Sequence, residues 1–319
     1  MKKSIFAFAA ALAALVACNK NDVAPMQPQN QESLVPCELT VGICGAMTKA
    51  TAVSADNEAK VNNLQVFVFR GDDLDAYASV DNAQELTLSC TAGDRVVYAL
   101  VNAPDYSAVP GKAALLAKVS ELSTNSLTNF EMVGSKSVTL PQSEKVSIDV
   151  NRIASRVVLK KITRSFTSEA LQALNFKVDA IYLINVAGNT SYDLSAAPAK
   201  WYNVAENKNE LASLLYDAPA SLITNGQSYS TAHTFYAYPN DLATNTTRLV
   251  IETTLGETKY YYPINLPEMA ANKSYEIEEV KITRPGSDDP DVPVSFADAS
   301  FSINVIDWTV VPVTEGTTI

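Results

Sequence analysis

The chain has 319 residues, enough for roughly two domains of ~150 residues. Hydrophobic residues make up 47% and charged residues 18%, which excludes general disorder and a fibrous repeat. The net charge of −11 argues against a nucleic-acid partner held by a basic stripe, and a single histidine, His233, excludes multi-histidine metal sites.

The N-terminus reads as a targeting segment. Lys2 and Lys3 precede an apolar run from Ile5 to Val16. The run falls short of the ~20 residues a membrane-spanning helix needs but suits a signal-peptide core. Leu15-Val16-Ala17-Cys18 is followed by the polar Asn19-Lys20-Asn21-Asp22, a pattern that resembles a bacterial lipobox. Residues 1–18 are therefore expected to be a lipoprotein signal peptide, with the Cys18 thiol receiving diacylglycerol. Each buried CH₂ would add ~0.8 kcal/mol of membrane affinity and anchor the precursor to the outer membrane. An ordinary secretory signal is the alternative. Residues 19–36, rich in Asn, Gln and Pro, read as a flexible tether.

Cys37, Cys44 and Cys90 remain, an odd number without CxxC spacing. An exported chain permits a disulfide, and buried or incidental thiols are the simpler expectation.

Strand signals then follow one another. Leu39 to Ile43 alternates, and Val61 to Phe69 puts Leu64, Val66 and Val68 on one face and Phe67 and Phe69 on the other. Gly71-Asp72-Asp73 predicts a turn. Glu85 to Cys90 and Asp94 to Asn102 predict strands, and Ser137 to Leu140 with Lys145 to Val150 predicts a hairpin around Pro141. Lys112 to Leu122 predicts one helix, with Ser168 to Leu174 and Asn209 to Tyr216 as shorter candidates.

A second β-rich block starts near Asn151. Its strands are predicted at Ile153–Ile162, Phe176–Val186, Thr234–Tyr238, Thr246–Leu255, Thr258–Leu266 and Ser274–Thr283. The stretch from Pro285 to Pro293 breaks any regular element, alternation resumes from Val292 to Ile306, and Asp307 to Val311 closes the pattern. The fold class is all-β, two sandwich domains in tandem with few short helices, divided near residue 151.

Chemistry-bearing patterns are sparse. His233 enters an apolar strand without a nucleophile motif, so a packed histidine is expected. The clusters Asp72-Asp73-Leu74-Asp75 and Asp288-Asp289-Pro290-Asp291 lack calcium-loop spacing and read as solvated turns. In Tyr260-Tyr261-Tyr262 the first and third share a face, which favours strand packing over a sugar-stacking platform. No catalytic residue, metal or cofactor is expected, and no enzyme activity.

Several motifs in order are more specific. They are the lipobox, Met47-Thr48-Lys49-Ala50-Thr51, Asn57-Glu58-Ala59-Lys60-Val61 leading into Leu64–Phe69, Val150-Asn151-Arg152-Ile153-Ala154-Ser155-Arg156, Arg284-Pro285-Gly286-Ser287-Asp288, and Val305-Ile306-Asp307-Trp308. Together they resemble the FimA-type major fimbrillins, the type V pilins of Bacteroidetes, over essentially the whole chain.

The resemblance implies transthyretin-like sandwiches and a fimbrial shaft subunit of the cell surface that supports adhesion. Its partners would be other copies of itself, other fimbrial subunits, and a trypsin-like or Lys/Arg-specific maturation protease. Cleavage between Lys49 and Ala50 would remove a propeptide, residues 19–49, that carries the first strand. The mature chain would hold an N-terminal sandwich at 50–151 and a C-terminal sandwich at 152–319. Its donor tail, about 292–319, would offer Phe301, Ile303, Val305, Trp308, Val310 and Val311 to another subunit's empty groove. Pro285, Gly286, Pro290 and Pro293 would form the hinge. A disulfide from Cys90 to the departing strand would block release, so none is expected. Deleting 307–319 is expected to leave a folded chain that cannot polymerise. A tip or anchor subunit, or a monomeric glycan-binding surface lipoprotein, are the alternative functions, and the adhesion ligand is not legible.

Overall fold

The computed structural model describes residues 34–44, 55–204, 208–293 and 298–308. The N-terminal half carries β1 (Pro36–Cys44), α1 (Ala55–Glu58), β2 (Asn63–Arg70), β3 (Asp73–Asp81), β4 (Glu85–Thr91), β5 (Gly93–Val101), α2 (Lys112–Leu116), β6 (Val119–Glu121), β7 (Met132–Leu140), β8 (Val146–Asp149) and β9 (Asn151–Arg152). The C-terminal half carries β10 (Ser155–Leu159), β11 (Ile162–Arg164), α3 (Glu169–Gln172), β12 (Phe176–Ile184), β13 (Val186–Ala187), β14 (Asn189–Ser191), β15 (Trp201–Tyr202), α4 (Ala212–Leu215), β16 (Tyr216–Asp217), β17 (Ser221–Leu222), β18 (Ser228–Tyr229), β19 (His233–Ala237), β20 (Arg248–Leu255), β21 (Thr258–Asn265), β22 (Lys273–Ile282) and β23 (Ala299–Asp307). The all-β class holds, and no described helix is long and apolar enough to cross a membrane.

Period-2 burial explains the N-terminal sandwich. Its sheets are β4-β1-β8 and β3-β2-β5-β7-β9. Leu64, Val66 and Val68 of β2 pack with Leu39 and Val41 of β1, Leu88 of β4 and Ile148 of β8. Phe67 and Phe69 face the other way, into a cluster that continues through the C-terminal half. The larger sheet is therefore covered on both faces, which is why β2 is buried from Leu64 through Phe69.

The sheets change over at residues 151–155. β9 still pairs with β7, whereas β10 pairs with β19 and β22. In the C-terminal sandwich, β10 and β11 run parallel to one side of β22, and β23 runs antiparallel along its other side. The facing sheet has the order β16-β12-β20-β21.

Four expectations need correction. The helix from Lys112 stops at Leu116, because residues 119–121 pair with β14 instead. Residues 137–150 do not form a hairpin: β7 pairs with β5, and β8 runs parallel to β1 in the opposite sheet. The strand predicted over 153–162 is split at Lys160-Lys161, where both lysines turn outward to carboxylates of β22, Lys160 to Glu276 at 2.7 Å and Lys161 to Glu279 at 3.2 Å. The acidic segment after Gly71 continues as β3, an edge strand on β2. There Asp75 is half-buried and bonded to Arg95 at 2.9 Å, while Asp72 Oδ1 accepts the Ala113 N–H at 2.7 Å.

Candidate functional site

The first strand, which the resemblance leads us to expect to be removed, sits in the middle of its sheet. β1 runs antiparallel to β4, from Pro36 opposite Thr91 to Gly42 opposite Glu85. On its other side, Val41 to Cys44 run parallel to Val146 to Asp149 of β8. β4 and β8 meet only through β1. Leu39, Val41 and Ile43 point into the core, and Thr40 points out to bond Thr87 at 2.8 Å. Burying three such aliphatic side chains contributes roughly 5–9 kcal/mol in gross terms. Taking β1 away would leave two unpaired strand edges and uncover Leu88, Val146 and Ile148.

β8 can approach the opposite sheet because residue 134 of β7 is glycine. A Cβ there would lie 2.1 Å from the Asp149 carbonyl oxygen.

The proposed cut falls between β1 and α1. Lys49 and Ala50 belong to residues 45–54, outside the described residues, as do Cys18, Val310 and Val311. The remaining donor residues lie in place on the C-terminal sandwich. Phe301 and Ile303 of β23 pack against the large core, whereas Val305 is half exposed. Their register on β22 runs from Lys273 opposite Asp307 to Ile282 opposite Ala299, with an irregularity between Ile277 and Val280.

Trp308, next in the chain, is fully buried in the same large core. It packs on Phe130 and Tyr236, with the guanidinium groups of Arg152 and Arg156 over its ring at 4.6 and 5.2 Å. Its Nε1–H donates to Glu58 Oε2 at 3.3 Å. Arg156 reaches the same carboxylate at 3.1 Å, and the Tyr236 hydroxyl donates to Glu58 Oε1. Arg152 donates to the Glu58 carbonyl at 3.0 and 3.1 Å, and burial pushes its pKa down to about 10 against the pull of Glu58. Sequence reading missed this cluster. Its signal lay in the quoted motifs, since Asn57-Glu58, Arg152 through Arg156, and Asp307-Trp308 are three pieces of it.

The stretch expected to act as a hinge is tied to the C-terminal sandwich. Tyr261 and Ser287 exchange backbone hydrogen bonds of 2.7 and 2.9 Å. Gly286 makes that contact possible, since a Cβ would lie 2.2 Å from the Tyr261 oxygen. Further along, Asp291 pairs with Lys208 at 3.1 Å, and Pro293 is exposed.

The other candidates have packing roles. His233 is buried, holds Asp217 through Nδ1 at 2.7 Å and stacks on Tyr229. Tyr260 and Tyr262 face the main core, and Tyr261 faces Tyr182 on the outer side of its sheet. Among the described residues, no group of three His, Cys, Asp or Glu could hold a metal.

The fold defines a class, the all-β proteins built from two β-sandwiches in tandem. Residues 38–157 match the family model of the major fimbrial subunit protein FimA. The chain is 26% identical over 211 residues to the major fimbrium subunit FimA type-2 of Porphyromonas gingivalis, and 27% identical to the type-3 subunit. Each alignment covers 58% of this chain, and the chain spans about half, 52%, of the length of these curated relatives. Among solved structures, a cell-adhesion-assigned protein of Bacteroides eggerthii aligns over 89% of this chain and 100% of its own, with a TM-score of 0.67 at 20% identity. A fimbrilin of Porphyromonas gingivalis aligns over 86% of this chain and 98% of its own, with a TM-score of 0.62 at 15% identity. These structural likenesses establish the fold.

Proposed function

We propose that the chain is a structural subunit of a surface fimbria, a shaft pilin, that polymerises by protease-triggered strand exchange and supports adhesion. The observation that carries the reading is the place of β1, central between β4 and β8 and separated from α1 by the segment that contains Lys49. The precursor would be held at the outer membrane through lipid on Cys18 until a trypsin-like protease cuts after Lys49. Loss of β1 would open the groove, and the C-terminal segment of another copy would refill it with alternating apolar side chains. The contact is head-to-tail and does not close, so repetition gives a filament.

In this reading Trp308, docked on Glu58, would be the root of the donor segment, and residues 309–319 the part given to another copy. If β23 itself is the donor, the β22 pairing and the Ser287 bridge must open first. The test is limited proteolysis of the purified precursor followed by electron microscopy. Fibres from the cut wild type and none from Lys49→Ala support the reading. A cut chain that stays monomeric, or fibres from uncut protein, would overturn it.

A further inference from the structure

β1 carries a cysteine directly opposite a cysteine of β4. Cys37 and Cys90 are cross-strand partners, and their sulfur atoms lie 3.7 Å apart as free thiols. Opposed positions in an antiparallel pair stand about 4.5–5.5 Å apart at Cα, inside the ~4.4–6.8 Å that a disulfide spans. Cys90 is buried beneath the strand, and Cys37 is half-buried at its outer end. Cys44, at the opposite end of β1, bonds Asp149 of β8 at 3.0 Å and is not part of the pair.

We propose that Cys37 and Cys90 form a redox latch, a reversible disulfide that keeps β1 seated after the chain has been cut. The sequence alone argues against such a bond because it would block strand release. The geometry turns that objection into the function: proteolysis and reduction must both occur before the groove opens. The latch rests on the reading of β1 as a removable strand.

The chemistry balances with an exported disulfide-bearing thiol oxidoreductase as oxidant. The Cys37 thiolate attacks a sulfur of that disulfide, forming a mixed disulfide and releasing one thiolate of the oxidant. Cys90 then gives up its proton and displaces the second oxidant thiolate, closing the Cys37–Cys90 bond. Two thiols are oxidised and one disulfide is reduced to two thiols. Burial and the neighbouring Cys37 thiol push Cys90 up to about 12, so uncatalysed closure is slow and favours an enzyme-borne donor. Reduction by a dithiol runs the sequence backwards.

The experiment uses the full chain, exposed to a purified disulfide-bearing thiol oxidoreductase or to dithiothreitol, with one portion of each sample denatured and alkylated and the other kept native. Non-reducing peptide mapping is expected to find Cys37 joined to Cys90 after oxidation, with Cys44 alkylated. The native portions of both samples are cut with trypsin and passed over a sizing column. The fragment bearing β1 should stay with the body of the oxidised sample and leave it on addition of dithiothreitol, while Cys37→Ser should release it without reductant. Complete alkylation of Cys37 and Cys90 after oxidation, or a bond from either to Cys44, would overturn the latch whatever the strand does. A mapped Cys37–Cys90 bond with the fragment retained even after reduction would instead overturn strand removal, and the latch with it.

Discussion

The indole N–H of Trp308 donates to the carboxylate of Glu58 at 3.3 Å, although the two residues are 250 positions apart. Glu58 closes the short helix that follows the proposed cut, and Trp308 follows the last described strand. Glu58 and Trp308, each near one end of the proposed mature chain, are thus fastened to one another inside the protein. The new N-terminus would be steadied by the same contacts that hold the root of the tail.

Trp308→Ala should lower stability by about 3–5 kcal/mol, the usual loss for a large buried aromatic. Glu58→Ala should cost a similar ~3–5 kcal/mol, because Arg156 loses a buried carboxylate partner. The double variant should cost less than the sum, since the residues share one network. Urea unfolding of the three variants measures this. It also changes how the tail must be tested: removing 307–319 takes out the buried Trp308, so a truncation that leaves the fold intact begins at residue 309.

Gly134→Ala should be severely destabilising, beyond the ~1–3 kcal/mol of ordinary overpacking, because its Cβ would meet backbone of β8 at 2.1 Å. Gly71→Ala has no atom within 4 Å and a φ of +63°, so it should cost only the ~1–2 kcal/mol of left-handed backbone. Thermal melts of the pair separate collision from backbone strain.

Leu39→Ala should destabilise the uncut chain by about 2–5 kcal/mol and leave the stability of assembled fibres unchanged. The side chain is buried before cleavage and would be absent afterwards. Equal losses in both forms would show that β1 remains in the polymer.

Stability should fall in acid partly through Asp75. Burial raises its pKa, but bonds from Thr91 and Arg95 outweigh that and hold the carboxyl below the usual range. A depressed folded pKa means the contribution is complete above the unfolded value of ~3.9 and is lost as pH falls through the folded one. Asp75→Asn should therefore be less stable than wild type at neutral pH, with the gap narrowing as acid is added. Urea midpoints between pH 7 and ~2 give the curve.

What the sequence revealed follows from locality. The opposed faces of Leu64, Val66 and Val68 and of Phe67 and Phe69 were legible because burial repeats every second residue. β3 was not, since its edge position leaves Leu74, Ala76, Ala78 and Val80 only half-buried among acidic and polar residues. Spacing at Leu115, Leu116, Val119 and Leu122 suggested a longer helix, but pairing of Ser120 with Thr190 overrode it. Pro141 looked like a hairpin turn because nothing nearby in sequence shows that β8 is claimed by β1, a hundred residues earlier in the chain. The Glu58 cluster draws on four distant segments, and no single window displays it.

The most direct test of the account is the N-terminus and intact mass of the protein recovered from the cell surface. The account predicts a chain that begins at Ala50, carries no lipid and runs in high-mass assemblies. A chain that begins at acylated Cys18 within those assemblies would mean that β1 never leaves its groove, and would contradict it.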